Sequence, residues 1–189
     1  HTDGSVECWG RNAQGQLGDG SDTASQNPVG AAGVFDAISI AAGGDVSCAV
    51  LAGGTLQCWG SNQFGQLGGS TPEPFSAVPL TIPGLSGVTQ VSVAPFHVCA
   101  ALEDGSARCW GRTDFGQLGD GTVGAPFSFQ SSPFAVSGLG DVISVSAGSW
   151  HTCALRSGGT VSCWGRNWQG ALGTGELVDS PDPIPVPAL

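Results

Sequence analysis

The sequence contains no lysine, and arginine supplies all five of its basic residues. Fifteen aspartate and glutamate residues oppose them, which gives a formal net charge of −10 at pH 7. Binding to nucleic acid or to an anionic membrane surface depends on clustered lysine and arginine, so this balance argues against both partners. A run of about 18 apolar residues is also lacking, and we therefore expect no insertion into a membrane.

Methionine is absent as well, even at position 1. Because protein synthesis starts with methionine, we expect a processed mature protein, an excised fragment or an incomplete sequence. The first residues do not have the pattern of a signal peptide either.

Segments long enough for ordinary helices are scarce. Glycine and proline supply 32 and 12 of the 189 residues, and both disfavour the interior of a helix. Several stretches between them alternate apolar and polar side chains, which is the period of a strand. We therefore predict an all-β protein.

One phrase, Cys-Trp-Gly, occurs four times, each time followed within six residues by Gly-Gln-Leu-Gly or a near copy. Its successive tryptophans are 50, 51 and 54 residues apart. A period of this length is typical of propellers and solenoids, in which the repeat is the structural unit. We interpret the chain as one propeller segment, 1–189, built from a partial unit 1–34 and units 35–87, 88–139 and 140–189.

Six of the seven cysteines form pairs with nine residues between the two members. The pairs are Cys48 with Cys58, Cys99 with Cys109, and Cys153 with Cys163. In each pair, two alternating runs flank a tip that contains glycine, which is typical of a β-hairpin. If the loop has three residues and ends in a left-handed glycine, the paired cysteines lie directly opposite each other. Opposed residues of antiparallel strands are close enough for a disulfide, so the sequence predicts three disulfides within hairpins.

Metal binding is the alternative use of paired cysteines. Zinc sites need four converging ligands, usually from two Cys-x-x-Cys elements, and this spacing does not occur here. His97 and His151 lie close to two of the pairs, but Val46 occupies the matching position of the third. The sequence therefore favours disulfides and an oxidising compartment. We expect no metal and no cofactor.

Cys8 belongs to the first copy of the phrase and differs from the other cysteines. The tip of its hairpin is Asp3-Gly4, so the same register places its partner before the first residue. We expect Cys8 to be unpaired or to have its partner outside the chain. A reactive thiol is the less favoured interpretation.

Each complete unit contains segments for four strands. An alternating segment such as Val142–Ala147 precedes the hairpin, and a proline-rich stretch such as Ala77–Pro83 follows Gly-Gln-Leu-Gly. Proline is tolerated at a sheet edge, so the proline-rich segment is predicted to be the outermost strand. Four antiparallel strands per unit are typical of a propeller blade, and the chain supplies about three and a half such blades.

The fourth unit resembles the repeat of the regulator of chromosome condensation family. The resemblance lies in Val142-Ile-Ser-Val-Ser-Ala-Gly-Ser-Trp-His-Thr-Cys-Ala-Leu and in Gly159-Thr-Val-Ser-Cys-Trp-Gly-Arg-Asn-Trp-Gln-Gly-Ala-Leu-Gly, and it recurs in the other units. It implies a β-propeller, in this family usually one with seven blades, so that the chain is a segment of a larger propeller or an open array. The paired cysteines look like those of a bacterial, secreted branch of the family.

The tryptophans of the repeated phrase are predicted to pack between blades, because they recur in every unit. They are Trp9, Trp59, Trp110 and Trp164. Aromatic residues that do not recur are better candidates for binding, since such side chains are enriched at interfaces. These candidates are Trp150, Trp168, Phe127 and Phe129. Packing against a neighbouring loop is the alternative interpretation for each of them.

The sequence shows no recognisable catalytic set. We interpret His97 and His151 as structural hydrogen-bonding residues, since no Ser-His-Asp arrangement accompanies them. Carboxylates such as Asp19 and Asp120 lie in loops that suit solvated turns better than a calcium site. Paired carboxylates of the kind that cleave polysaccharides are not recognisable. We therefore predict that the protein is not an enzyme.

The remaining features favour an extracellular or cell-surface module of the bacterial secreted type. Its variable loops, presented on a rigid, disulfide-clamped propeller, would bind a protein partner or another copy of the chain. A structural subunit of a surface or filamentous assembly is one alternative. A secreted enzyme inhibitor is the other, because one bacterial β-lactamase inhibitor is built from a similar repeat.

Overall fold

Four antiparallel sheets make up the computed structural model, which describes residues 1–69 and 72–187. The first sheet contains β1 (Glu7–Gly10) and β2 (Ser25–Gly30). The second contains β3 (Ala37–Gly43), β4 (Val46–Leu51), β5 (Leu56–Ser61) and β6 (Phe75–Thr81). The third contains β7 (Val88–Val93), β8 (His97–Leu102), β9 (Ala107–Arg112) and β10 (Phe129–Ala135). The fourth contains β11 (Val142–Ala147), β12 (His151–Arg156), β13 (Val161–Gly165) and β14 (Ser180–Pro185).

Within each complete sheet, the strands pair in chain order from the innermost to the outermost. The described residues contain no helix, and hence none that could cross a membrane. The predicted all-β fold with four-stranded antiparallel blades is therefore confirmed. The boundaries proposed between the units stay a prediction.

The hairpin register follows from the turn glycines. Gly54, Gly105 and Gly159 end their loops with φ of 73°, 79° and 80°, a conformation that glycine adopts without steric penalty. Each cysteine of a pair then stands opposite its partner. The structure contains the disulfides Cys48–Cys58, Cys99–Cys109 and Cys153–Cys163, with Cα atoms 4.0 to 4.1 Å apart.

The hydrophobic core is divided among the boundaries between successive units. At the boundary of the second and third units, Val46 and Cys48 of β4 pack with Val91 of β7. At the next boundary, Cys99 of β8 packs with Val145 of β11. At these two boundaries, the innermost strand therefore lies against the second strand of the unit before it.

Three of the repeated tryptophans are buried at these boundaries. Each donates its indole N–H to a main-chain carbonyl in the preceding unit. The pairs are Trp59 with Gln16, Trp110 with Gln66 and Trp164 with Gln117, at 3.0, 2.7 and 3.0 Å. These three tryptophans thus occupy the inter-blade positions expected of them.

Trp9 has no such partner within residues 1–69 and 72–187, and its packing between blades stays a prediction. Its side chain is 65% exposed. The described residues include no preceding unit that could supply a carbonyl and an apolar wall for its indole. The repeated phrase alone therefore does not bury a tryptophan, because burial also requires the neighbouring blade.

Two of the glycines that end Gly-Gln-Leu-Gly make room for these indoles. A Cβ atom on Gly119 would lie 2.6 Å from Nε1 of Trp164, and one on Gly18 would lie 2.7 Å from Nε1 of Trp59. Both distances are below van der Waals contact. Any side chain at these positions therefore pushes the indole away from its carbonyl.

We expect Gly119→Ala to lower the free energy of unfolding by about 1–3 kcal/mol more than Gly33→Ala. Gly119 and Gly33 have the same φ of 73°, but a Cβ atom on Gly33 meets nothing within 4 Å. The comparison therefore isolates the clash from the cost of a positive φ. Urea denaturation followed by tryptophan fluorescence measures both variants, and equal losses would contradict the packing role of Gly119.

The double variant Cys99→Ala with Cys109→Ala should lose about 2–3 kcal/mol of unfolding free energy, because the short loop is no longer closed in the unfolded chain. Both sulfur atoms are buried in the native fold. Cys8→Ala is the control, since Cys8 is a free, half-buried thiol. Chemical denaturation under non-reducing conditions measures the difference. A double variant no less stable than this control would show that the crosslink does not stabilise the blade.

Candidate protein-binding face

Aromatic and arginine side chains from three units meet at one end of the blades. At this end the third strands finish and the second strands begin, which brings loops from neighbouring units together. We call this group the aromatic–arginine face. It consists of Phe64, Phe96, Arg112, Phe115, Phe127, Trp150, Arg166 and Trp168.

Trp150 is the central aromatic residue of the face. Its ring stacks on Phe96 with centroids 4.2 Å apart, and Phe115 meets it edge-on at 5.1 Å. Phe64 adds a second edge-on contact to Phe96 at 5.7 Å. Offset-stacked and edge-to-face pairs are the favoured arrangements of aromatic rings. Both interpretations of Trp150 therefore apply in part: it packs on its neighbours and remains half-buried at the surface.

Arg112 is held within this aromatic group. Its guanidinium carbon lies 4.7 Å from the ring centroid of Trp150 and 4.8 Å from that of Phe127. Phe64 and Phe96 follow at 5.1 and 5.5 Å. All four distances fall within the range of cation–π attraction.

Asp114 neutralises the same guanidinium with two hydrogen bonds. Nε of Arg112 donates to Oδ1 at 2.8 Å and a terminal nitrogen donates to Oδ2 at 2.6 Å. Burial by itself would raise the pKa of the Asp114 carboxyl, but the hydrogen bond and charge of Arg112 outweigh it and hold that pKa below its ordinary value. Arg112 is thus a fixed, internally paired part of the face.

Arg166 occupies the position of Arg112 in the next unit but lacks an acidic partner within the described residues. Its guanidinium carbon lies 4.4 Å from the ring centroid of Phe115 and 4.8 Å from that of Trp168. Trp168 is 59% exposed. Within the described part of the chain, the far end of the face therefore presents a cation without a carboxylate next to an accessible indole.

Arg11, at the equivalent position of the first unit, has an acidic partner of the kind that Arg166 lacks within the described residues. Its guanidinium lies 3.6 Å from the carboxylate of Asp45 in the next unit. The chain positions corresponding to Asp45 are Phe96 and Trp150. The same position of the repeat thus forms an ion pair at one boundary between units, whereas it carries an aromatic ring at the others.

Phe127 and Phe129 lie on the insertion that lengthens the third unit. This loop is tied to Thr113, which accepts a backbone hydrogen bond from Gly124 and donates one to Ser128, each at 3.0 Å. Phe127 adopts a φ of 63° and is 71% exposed at the edge of the face. Phe129 pairs with Arg112 in the register of β10 and β9, and its ring lies beside Gly65.

The structure thus brings Trp150, Trp168 and Phe127 to one surface, and it places the ring of Phe129 beside Gly65. Sequence reasoning missed the two arginines, which decide the charge of the surface. A signal was present, because arginine follows Trp-Gly at positions 11, 112 and 166. What that signal omits is whether an acidic residue neutralises each arginine.

His97 is buried and hydrogen-bonded. Thr152 uses its hydroxyl proton to donate to the carbonyl of Gln117, so Nε2 of His97 donates to Oγ1 of Thr152 at 2.8 Å. Burial, and after it the neighbouring His151, lower the pKa of His97 to about 3. Burial also lowers the pKa of His151. His97 therefore acts as a neutral structural group at ordinary pH.

We expect this histidine to destabilise the fold at acidic pH. Its pKa in the native state lies below the ordinary value of about 6.5, so the unfolded state binds the proton first as the pH falls. The contribution of His97 to the free energy of unfolding is complete above the ordinary pKa of about 6.5. It should decline by about 2 kcal/mol between pH 7 and pH 5.

The matched variant for this test is His97→Val, because Val46 holds the equivalent position in the second unit. Urea denaturation of both proteins at several pH values isolates the contribution of His97 from that of the remaining groups, His151 included. If the free energies of unfolding of the two proteins fall in parallel as the pH is lowered, the predicted contribution of His97 is contradicted.

The acidic loops form turns. Asp19 accepts hydrogen bonds from the backbone and hydroxyl of Ser21 at 3.0 and 2.9 Å, and Asp179 accepts one from the backbone of Asn167 at 2.6 Å. No group of three His, Cys, Asp or Glu residues suited to a metal ion occurs within residues 1–69 and 72–187.

A disulfide-braced array of propeller blades with an aromatic–arginine face is the class of protein that these observations define. A family model described as "Regulator of chromosome condensation (RCC1) repeat" matches residues 3–50, 53–101 and 104–155. A second model with that description matches residues 37–66, 88–117 and 142–170. The chain belongs to the RCC1 repeat family.

Individual relatives agree with this assignment. The ultraviolet-B receptor UVR8 of Arabidopsis thaliana is 32% identical over 93% of the chain and 41% of its own length. The crystal structure of human WBSCR16 superposes with a TM-score of 0.85 at 28% identity, over 98% of this chain and 49% of the other. Yeast RCC1 (Prp20), solved bound to Kap60, has a TM-score of 0.84 at 24% identity, over 98% and 45%. The chain spans less than half of the length of each of these proteins.

Proposed function

We propose that the protein is a non-enzymatic, extracellular protein-binding module and that the aromatic–arginine face is its binding surface. One observation carries this proposal: the half-buried Arg166 has no acidic partner in the described residues and lies beside the exposed indole of Trp168. Arginine and tryptophan are the residues that most often dominate the energetics of protein interfaces. A partner that brings a carboxylate to Arg166 and an apolar side chain to Trp168 fits both groups.

The rest of the face supports the same proposal through rigidity. Trp150 and Arg112 are fixed by ring stacking and by the hydrogen bonds to Asp114, so little side-chain entropy remains to be lost on binding. The hairpins behind the face are closed by disulfides. A rigid surface of this kind favours one complementary partner over many adaptable ones.

The charge distribution of the chain favours a particular kind of partner. The chain carries a formal charge of −10, so a strongly acidic partner is repelled over most of the surface. Arg166 is a local exception within that field. We therefore propose a partner with a single exposed carboxylate beside apolar side chains rather than an extended acidic tract.

An extracellular or cell-surface location of the bacterial secreted type is part of the proposal. Its support is chemical, because disulfides persist in oxidising compartments and are rare where thiols are kept reduced. The non-enzymatic assignment rests on the use of His97 in a buried hydrogen bond and of the loop carboxylates in turns. Among relatives, yeast RCC1 bound to Kap60 offers a precedent for protein binding.

The test is affinity capture from an extracellular fraction, followed by calorimetric titration of the purified captured protein. Trp168→Ala and Arg166→Ala should each weaken binding about tenfold or more, because each removes a central contact. Arg166→Lys should also weaken it, since lysine keeps the charge but loses the planar group that lies over two rings.

Phe35→Ala is the matched control. Phe35 is an equally exposed aromatic residue in the loop between β2 and β3, outside the face, and its removal should leave the affinity unchanged. If Trp168→Ala and Arg166→Ala bind as tightly as the wild type, or if Phe35→Ala weakens binding equally, the face is not the binding surface.

A further inference from the structure

The boundary between the third and fourth units differs from the boundary before it in the residues at its centre. His97 of β8 and Thr152 of β12 meet there, and Nε2 of His97 donates to Oγ1 of Thr152 at 2.8 Å. At the boundary of the second and third units, the same two positions hold Val46 and Val98, which belong to one apolar cluster. One boundary is thus joined by a hydrogen bond where its neighbour is joined by an apolar contact.

This hydrogen bond belongs to a chain of three. Thr152 donates its hydroxyl proton to the carbonyl of Gln117 at 3.0 Å, and the same carbonyl accepts the indole N–H of Trp164 at 3.0 Å. Every residue of the chain is buried. The carbonyl that holds the tryptophan of the fourth unit therefore also orients Thr152 to accept from His97, so the three contacts depend on one another.

The ring of His97 has no place for a second proton in this arrangement. Because Nε2 carries the proton that is donated to Thr152, Nδ1 is an unprotonated acceptor. Nδ1 is buried and has no hydrogen-bond partner among the described residues. A proton added to Nδ1 would leave a buried positive charge and an N–H group without an acceptor, which is costly. The closed boundary thus requires a neutral His97.

The elements that pack on His97 supply no charge that would offset such a proton. β7 and β11 contain no titratable residue. On β9, Gly111 lies opposite His97, and the next residue, Arg112, is paired with Asp114. Burial lowers the pKa of His97, and the charge of His151 on β12 lowers it further. Protonation of His97 therefore opposes closure of this boundary.

We propose that the boundary between the third and fourth units is acid-sensitive: it opens when His97 is protonated, while the boundary of the second and third units stays closed. The aromatic–arginine face crosses the acid-sensitive boundary, because Trp150 of the fourth unit stacks on Phe96 and lies against Arg112 of the third. Opening therefore separates the rings of the face. The consequence for a bound partner rests on the function proposed above, whereas the opening itself does not.

The pH range follows from the two forms of His97. Its pKa is about 3 in the closed boundary, whereas an exposed histidine has a pKa of about 6.5. The open form therefore takes up the proton first as the pH falls, and the closed form is fully favoured only above the higher value. Between pH 7 and pH 5, the equilibrium constant for opening should rise about 25-fold.

Hydrogen exchange reports this opening at two matched pairs of N–H groups. The amide of Val142 donates to a carbonyl of the third unit, and the equivalent amide of Val88 donates to one of the second unit, both at 2.9 Å. The indoles of Trp164 and Trp110 form the other pair, since each donates to the unit before it. Val142 and Trp164 thus report on the acid-sensitive boundary, and Val88 and Trp110 report on its neighbour.

The experiment is exchange of the whole protein followed by NMR, with each rate divided by that of an unstructured peptide at the same pH. Between pH 7 and pH 5 we expect the opening constant to rise about 25-fold at Val142 and Trp164, and less than about threefold at Val88 and Trp110. An equal rise at both boundaries would show that the proton acts on unfolding of the whole chain. That result, or no rise at either boundary, would overturn the proposal.

Three variants assign the effect to His97. His97→Val should remove the rise at Val142, because it installs the residue of the preceding boundary. His97→Val combined with Thr152→Val reproduces both valines of that boundary and covers the case in which the single variant does not fold. His151→Val is the matched control, since it makes the same change at the equivalent position of the fourth unit and leaves the bond between His97 and Thr152 in place. A rise that persists without His97, or that disappears in His151→Val, contradicts the assignment.

One further variant separates this proposal from the function proposed for the face. Trp168→Ala should weaken partner binding but leave the hydrogen bonds of His97 intact. We therefore expect Val142 to show the same rise in Trp168→Ala as in the wild type. Exchange at the boundary is measured without any partner, so the acid-sensitive boundary stands or fails independently of the binding function.

Discussion

The indole N–H of each buried tryptophan meets the main-chain carbonyl of a glutamine in the unit before it. This contact requires two other features. For Trp59 and Trp164, a glycine (Gly18 and Gly119) must leave room for the ring, and in every case the glutamine loop must hold its carbonyl outward. Gln66 achieves the second by bonding its side chain to the backbone of Phe64 and to the carbonyl of Pro95 in the next unit. The repeated Gly-Gln-Leu-Gly is thus the socket for the next tryptophan, and blade stacking depends on it.

The aromatic–arginine face results from the same stacking of blades. Its residues come from loops that the socket and the hairpins bring within reach of each other across unit boundaries. Once the frame is in place, single residues decide the chemistry. Asp114 neutralises Arg112 inside the aromatic group, whereas Arg166 has no carboxylate within reach in the described part of the chain. The scaffold is shared by every unit, but charge accessibility differs from one unit to the next.

Much of the fold could be predicted because the same structural unit occurs several times in the sequence, so that its copies can be compared with each other. The spacing of the cysteines and the glycine at each hairpin tip predict the register, and β4 and β5 pair in that register. The proline-rich segments form the outermost strands, as their missing N–H groups suggested. Two expectations about particular residues could not be judged in this way. Trp9 is exposed because the described residues include no preceding unit, and the ring of Phe129 lies beside Gly65 rather than in the ring contacts around Arg112.

The sequence by itself determined the local structure: strand order, hairpin register, the opposed cysteines and the tryptophan positions. These features depend on residue period and turn chemistry, which act over a few residues. Only the tertiary structure decided which arginine has an acidic partner and which aromatic rings share a surface. Those properties arise from contacts between residues about 30 to 55 positions apart, such as Gln16 with Asp45 or Gln90 with Val145. Such contacts depend on how whole blades stack, and no local pattern specifies them.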